Sequence, residues 1–201
     1  MPTTTVLRRY LTFTYRCALP FARRRVSPDT VTLFGLVLAI AVVAAADWAP
    51  IVAAAFVVLS AVTDGIDGCV AALTGRATRF GFVLDSAVDR VSDTLFVYAL
   101  IVAGGHERLG IGAVLAFMAL EYVRARAGAA GLGEIGVITV GERPTRTIAA
   151  ALGLVGAQVL ASRPWFGPNI GLGVTLAASL IGLTQLLVWL RRHLSDEPPT
   201  G

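Results

Sequence analysis

The sequence contains no lysine, few charged side chains and few of the side chains that bind transition metals. Only 15% of its 201 residues are charged, and all 17 basic residues are arginine. Two cysteines and two histidines give no sign of a disulfide framework, and they are not spaced to ligate zinc together. These absences argue against a disulfide-stabilised scaffold and leave oxygen atoms as the ligands for any metal ion.

The abundant residues are apolar. Hydrophobic residues make up 56% of the chain, and the mean hydropathy of +0.74 lies well above the range of ordinary soluble domains. Because one membrane-spanning helix needs about 20 residues, the length allows several spans but no soluble domain of useful size. We therefore predict an all-α integral membrane protein with a single domain over residues 1–201.

Six apolar segments predict six transmembrane helices behind an N-terminal amphipathic helix in the membrane interface. Residues 1–28 mix aromatic and aliphatic side chains with arginines, which is typical of an interfacial helix. Residues 29–192 form the predicted six-span bundle, and 193–201 form a short tail. Pro28 is expected to break the chain before the first span. The predicted spans are residues 31–46, 51–73, 80–102, 109–122, 147–161 and 170–190.

The arginines indicate the orientation of this bundle. With the N-terminus in the cytoplasm, fourteen arginines fall on the cytoplasmic side, Arg90 lies within a span, and only Arg108 and Arg163 fall outside. This asymmetry follows the positive-inside rule. We therefore expect a multi-pass protein of the cell membrane with both termini in the cytoplasm, and we attribute its basic balance to topology rather than to nucleic-acid binding.

Four aspartates interrupt the second and third predicted spans. Asp64 and Asp67 are three residues apart, and Asp85 and Asp89 are four apart, so each pair projects from one face of a helix. The two spans are antiparallel in this topology, which brings both pairs to a similar depth. Four uncompensated carboxylates there would repel one another strongly. We predict that they bind divalent cations, and an all-oxygen cage favours Mg²⁺ or Mn²⁺.

Carboxylates inside a membrane also occur in ion-coupled transporters. That alternative predicts carboxylates near the middle of the bilayer and broken helices. The aspartates of this chain instead cluster toward the cytoplasmic ends of two predicted spans. Asp93, one turn beyond Asp89, is interpreted as a partner for Arg90 rather than as a metal ligand.

The spacing of these residues resembles the signature of the CDP-alcohol phosphatidyltransferase family. The family pattern is DxxDGxxAR, then eight residues, then GxxxDxxxD. The runs SPDTVT at residues 27–32 and TRFG at residues 78–81 also look like family landmarks. Seven of the eight fixed positions of the pattern are matched, namely Asp64, Asp67, Gly68, Ala71, Gly81, Asp85 and Asp89.

The resemblance implies a set of roles. The four aspartates would hold two divalent ions, Mg²⁺ or Mn²⁺, that bind the pyrophosphate of CDP-diacylglycerol. Asp89 is the implied general base, which takes a proton from the acceptor hydroxyl as CMP leaves. The family also suggests a homodimer. The candidate CDP-lipid-binding residues are Asp29, Thr32, Gly68, Thr78, Gly81 and Arg76.

One position departs from the family pattern. The arginine of the pattern is Ala72 in this chain, which removes a cation near the nucleotide. Arg76, one helical turn onward, or Arg79 can reach the same phosphates. If neither does, the alternative is a non-catalytic homologue that binds CDP-lipid.

The acceptor side resembles that of bacterial phosphatidylinositol-phosphate synthases. The runs EYVRARAGAAGL at residues 121–132 and GERPTR at 141–146 carry four arginines, and the forked donors of arginine suit a phosphate. The predicted acceptor is a sugar or polyol phosphate such as inositol phosphate, with glycerol 3-phosphate as the alternative, and a non-phosphorylated alcohol stays open. The candidate acceptor-binding residues are Arg124, Arg126, Arg143 and Arg146.

Two observations qualify the acceptor side. Glu121 stands where the resembling enzymes have serine, and its charge would repel a phosphate unless an arginine pairs with it. Arginines next to a membrane also enforce topology or bind anionic lipid headgroups. That second role stays open for each of the four arginines.

Overall fold

The structure is a computed structural model that describes residues 5–130 and 139–193. Within these ranges the chain forms seven α-helices and no β-strand, which confirms the all-α prediction. The predicted tail beyond His193 and the last two residues of the 121–132 run lie outside the described residues. The helices are α1 Thr5–Arg23, α2 Pro28–Ala45, α3 Pro50–Thr74, α4 Arg79–Val102, α5 Glu107–Ala129, α6 Arg143–Val159 and α7 Phe166–His193.

The start of α2 differs from the prediction. Pro28 begins this helix instead of lying outside it, because its fixed φ suits the first turn and its missing N–H is not needed there. The hydroxyl of Ser27 caps the helix by accepting a hydrogen bond from the backbone N–H of Thr30 at 3.2 Å. Because α2 begins three residues before the predicted span, Asp29 lies in its first turn.

Three of the described helices, α2, α3 and α7, are long and apolar enough to cross a membrane. Helices α4 and α5 carry charged residues along their length, and α6 has 17 residues, or about 26 Å at 1.5 Å per residue. Composition alone therefore does not identify α4, α5 and α6 as spans. The protein is an all-helical membrane protein with three apolar candidate spans, and the count of six spans stays a prediction.

The apolar core lies among α2 to α7. Its large buried side chains come from the last four helices and include Phe96, Leu100, Phe117, Leu154 and Leu172, whereas α2 and α3 contribute mainly alanine and valine. Small side chains let helix backbones approach closely in a membrane protein.

Gly35 marks a close approach of α2 to α3. A Cβ atom at this position would lie only 2.8 Å from the hydroxyl oxygen of Thr63. This contact holds the first half of α2 against the second half of α3, where Asp64 and Asp67 are located. The packing of two apolar helices thus determines the position of one pair of carboxylates.

Candidate active site

Three of the four predicted metal ligands come together between α3 and α4. Asp64, Asp67 and Asp85 each offer a carboxylate oxygen, and these oxygens lie within 4.8 Å of one another. Oδ1 of Asp85 is buried and has no hydrogen-bond partner among the residues that the structure describes. A buried, unpaired carboxylate oxygen is costly unless a cation or a proton neutralises it. The donor set therefore fits a hard divalent ion such as Mg²⁺ or Mn²⁺.

Thr32 of α2 orients one of these carboxylates. Its hydroxyl donates a hydrogen bond of 2.6 Å to Oδ2 of Asp67, and both side chains are buried. The bond fixes one oxygen of Asp67 and leaves the other available to a cation. Thr32, which the sequence assigned to CDP-lipid binding, therefore also acts on the predicted metal site.

Asp89 lies beside the group of three rather than within it. Its Oδ1 is 2.9 Å from Nη1 of Arg143, and the same nitrogen contacts Oδ1 of Asp64. Nε of Arg143 is 3.5 Å from Asp93. The first residue of α6 thus inserts a guanidinium between α3 and α4, a position that the sequence did not predict.

A cavity of about 310 Å³ opens next to Asp67 and Asp85, which lie in its wall. Ala72, which replaces the arginine of the family pattern, also lines this cavity. The position at which this chain differs from the family pattern is therefore in the cavity wall. All six predicted CDP-lipid-binding residues line it as well, namely Asp29, Thr32, Gly68, Arg76, Thr78 and Gly81.

Two glycines give this cavity its shape in different ways. A Cβ atom at Gly81 would lie 3.1 Å from both Asp29 and the Thr78 hydroxyl, so α2 and the start of α4 meet closely there. Thr78 caps α4 by accepting a hydrogen bond from the backbone N–H of Gly81 at 2.9 Å. At Gly68 no atom lies within 4 Å of the Cβ position, so the absent side chain leaves open space.

Arg76 lies at the mouth of the same cavity. Nη1 of Arg76 donates a hydrogen bond of 3.2 Å to the backbone carbonyl of Arg25, which links the end of α3 to the turn between α1 and α2. Arg79 is not among the lining residues. Of the two arginines considered as substitutes for the family's cation, Arg76 is therefore the better placed.

Arg146 is enclosed by the protein and is only 3% exposed. Its guanidinium bonds to Oδ2 of Asp93 at 2.8 and 3.1 Å, to Glu121 at 3.0 Å and to the backbone carbonyl of Gly141. It also lies over the ring of Phe117, 5.1 Å from the centroid. These contacts favour a structural role over contact with an acceptor.

Glu121 is paired, which removes the repulsion that its charge would otherwise cause. Its carboxylate is 3.0 Å from Arg90 and 3.0 Å from Arg146. Arg90 therefore has Glu121 as its close partner, while Asp93 pairs with Arg143 and Arg146. The predicted pairing of Asp93 with Arg90 is wrong, because Glu121 reaches Arg90 from the neighbouring helix.

Arg124 is held by Glu142 at 2.7 Å and by the hydroxyl of Thr139 at 3.1 Å. Burial raises the pKa of Glu142, but hydrogen bonds from Thr139 and Arg124 outweigh burial and bring that pKa below its ordinary value. Glu142 therefore stays ionised as the partner of Arg124. Arg126 is exposed.

A second, larger cavity of about 770 Å³ lies between α4 and α5. Its charged wall residues are Arg90, Glu121 and Arg124, and its apolar ones include Phe82 and Tyr122. No sequence pattern indicated this cavity beyond the arginines of the 121–132 run. Of the four predicted acceptor residues, only Arg124 lines it.

A group of carboxylates that could hold a metal ion lies beside a cavity in a membrane protein with apolar candidate spans. The sequence signature of the family described as CDP-alcohol phosphatidyltransferase matches residues 25–191. The chain belongs to the CDP-alcohol phosphatidyltransferase family.

Named relatives agree with this assignment. The chain is 35% identical over 129 residues to archaetidylinositol phosphate synthase of Aeropyrum pernix, an alignment that covers 62% of this chain and 66% of that one. It is 34% identical over 210 residues to phosphatidylinositol phosphate synthase of Streptomyces avermitilis, covering 92% and 82%.

A solved structure has the same fold. It is phosphatidylinositol phosphate synthase of Mycobacterium tuberculosis with CDP-DAG bound, at a TM-score of 0.68 and 31% identity, covering 87% of this chain and 92% of that one. A second structure of that synthase is in complex with manganese and citrate.

Proposed function

We propose that this protein transfers the phosphatidyl group of CDP-diacylglycerol to a sugar or polyol phosphate, inositol phosphate first, and releases CMP. The observation that carries the proposal is the cavity of about 310 Å³ whose wall contains both Asp67 and Asp85 and all six predicted CDP-lipid-binding residues. The names of the relatives support the acceptor, and the CDP-DAG complex of the mycobacterial enzyme supports the donor.

Asp64, Asp67, Asp85 and Asp89 would hold two divalent ions, Mg²⁺ or Mn²⁺. Such ions neutralise phosphate oxygens and stabilise the departing CMP. The chain itself orients the carboxylates: Thr32 fixes Asp67, and Arg143 fixes Asp89. The cavity beside Gly68 receives the CDP moiety, with Arg76 at its mouth in place of the cation that Ala72 removes.

Asp89 is the proposed general base. It lies next to the group of three carboxylates, with one oxygen bonded to Arg143 and the other 4.0 Å from Arg90. A carboxylate at this position accepts the proton of an acceptor hydroxyl as that hydroxyl attacks the phosphorus that bears diacylglycerol. No covalent intermediate on the protein is required.

The acceptor phosphate binds, in this proposal, to Arg143, Arg124 and Arg126. Arg146 acts differently: it is buried and holds Asp93 and Glu121 in place. Glycerol 3-phosphate is the second candidate acceptor. The transporter alternative loses its support because the chain belongs to an enzyme family, and a homologue that binds CDP-lipid without turnover is the alternative motivated by Ala72.

The proposal extends to the arrangement in the membrane. It comprises six spans from the apolar segments, an interfacial α1, and both termini in the cytoplasm, an orientation that the arginine distribution supports. The carboxylates, the cavity and Arg143 all lie at one end of the bundle, which would be the cytoplasmic end. We propose that the protein lies in the cell membrane as a homodimer among membrane lipids.

The test is CMP release by the purified protein in lipid nanodiscs containing CDP-diacylglycerol. We expect release only when Mg²⁺ or Mn²⁺ and an acceptor are both present, with kcat/KM highest for inositol phosphate among inositol phosphate, glycerol 3-phosphate and free inositol. A higher kcat/KM for glycerol 3-phosphate would identify that compound as the acceptor instead. Metal-dependent binding of CDP-diacylglycerol with no CMP from any acceptor would establish the binding-only alternative.

A further inference from the structure

Arg143 occupies a position that the acceptor role does not explain. An arginine that only binds an acceptor would be expected to be exposed, as Arg126 is. The Arg143 side chain is instead only 16% exposed, and its guanidinium contacts Asp64, Asp89 and Asp93. With Asp64, Asp67, Ser92 and other residues it lines a small void of about 10 Å³ in the floor of the carboxylate centre.

Asp64 is shared between two groups. One of its oxygens belongs to the set with Asp67 and Asp85 that fits an ion, and Oδ1 of Asp64 contacts Arg143. Asp89 is not a member of that set as found among the described residues. Its Oδ1 also contacts Arg143. The pair Asp64 and Asp89 therefore already has a cation, whereas Asp67 and Asp85 form no salt bridge with any of the described residues.

Nη1 of Arg143 contacts Oδ1 of Asp64 and Oδ1 of Asp89, so it lies where an ion bridging those two oxygens would lie. Two cations at contact distance from one oxygen also repel each other. An ion that bridges Asp64 and Asp89 would therefore displace the guanidinium of Arg143. An ion at Asp67 and Asp85 need not do so.

We propose that Arg143 competes with the second divalent ion for Asp64 and Asp89. One ion binds tightly at Asp64, Asp67 and Asp85. The second binds weakly, displaces the guanidinium, and thereby makes Arg143 available to the acceptor phosphate. This inference rests on the proposed function and adds a binding order to that function. Arg143 becomes available to the acceptor phosphate only after the second ion has bound.

The test is a titration of the protein in nanodiscs with Mn²⁺, without CDP-lipid and without acceptor, following free Mn²⁺ by its electron paramagnetic resonance signal. The wild type is expected to bind one ion at least about tenfold more tightly than the second. In Arg143→Gln the second ion binds about 10- to 100-fold more tightly, the range that one charge-assisted contact corresponds to. The affinity for the first ion changes by less than about threefold.

Two further variants separate competition from a general loss of charge. Arg126→Gln removes an exposed arginine from the same end of the bundle and is expected to leave both affinities within about threefold, because exposed charges are screened. Arg143→Lys keeps the charge but loses the forked donors, and the second affinity should fall between those of wild type and Arg143→Gln.

Two equally tight ions in the wild type would overturn the proposal, and this measurement does not depend on whether any variant folds. Unchanged ion affinities in a folded Arg143→Gln variant would overturn it as well, as would an equal gain in Arg126→Gln. Because the titration contains neither donor nor acceptor, its outcome is independent of CMP release. A protein with the expected Mn²⁺ behaviour and no turnover would refute the proposed function alone.

Discussion

Asp89→Asn is expected to lower kcat for CMP release by about 10²- to 10⁴-fold, the usual contribution of a general base. Asparagine has nearly the same shape as aspartate but does not accept the proton of the acceptor hydroxyl. The group of Asp64, Asp67 and Asp85 does not include Asp89, so the tightly bound ion should be retained. The measurement is steady-state CMP release with a saturating acceptor, together with Mn²⁺ affinity.

The matched control is Asp47→Asn, which removes one exposed carboxylate from the turn between α2 and α3. Its kcat should stay within about twofold of the wild type, since isolated surface changes have small effects. A kcat within tenfold of the wild type in Asp89→Asn would exclude Asp89 as the base. Loss of the first Mn²⁺ site in that variant would instead make Asp89 mainly a metal ligand.

Arg146→Met is expected to lower the free energy of unfolding by about 3–5 kcal/mol, because removing one partner of a buried ion pair leaves the other charges uncompensated. Asp93 and Glu121 both lose a close cation in this variant. Methionine approximately preserves the volume and the packing against Phe117. The measurement is reversible denaturant unfolding in mixed micelles, monitored by tryptophan fluorescence.

A control variant and a double variant test whether the lost ion pairs cause this destabilisation. Arg126→Met replaces an exposed arginine and should change the free energy of unfolding by no more than about 0.5 kcal/mol. Adding Asp93→Asn to Arg146→Met should recover part of the loss, because it removes one of the two unpaired carboxylates. A loss below about 1 kcal/mol in Arg146→Met would mean that the buried network does not stabilise the fold, and that Arg146 is free to bind an acceptor.

The carboxylate pairs were predictable because they depend on local spacing. Residues three and four apart share a helix face, so Asp64 with Asp67 required only that the segment be helical. The residues of the donor cavity were expected from the family resemblance instead, and Asp29 and Thr78 both line that cavity.

The different roles of Arg143 and Arg146 were not predictable from the sequence. Arg143 and Arg146 are three residues apart and begin the same helix, so spacing gives them the same expected role. Their difference comes from long-range partners, with Arg143 directed to Asp64 and Asp89 and Arg146 enclosed by Asp93 and Glu121. A long, flexible side chain reaches several partners from one backbone position, and only packing selects among them.

The replacement of serine by Glu121 illustrates the same limit. As a single change it places a negative charge where a phosphate is expected, which argues against a phosphorylated acceptor. In the structure Arg90 and Arg146 neutralise it from α4 and α6. Charged residues of this kind also explain why composition identifies α2, α3 and α7 as candidate spans but not α4 and α5, which an ion pair between Arg90 and Glu121 connects.

The most direct test of the central claim is the ³¹P spectrum of CDP-diacylglycerol bound to the protein, recorded with and without one equivalent of Mn²⁺. A paramagnetic ion held at the carboxylates beside the donor cavity should broaden both phosphorus resonances, and Asp85→Asn should restore narrow lines. Narrow lines from bound CDP-diacylglycerol in a wild-type protein that has also bound Mn²⁺ would contradict the account, because ion and pyrophosphate would then occupy separate places.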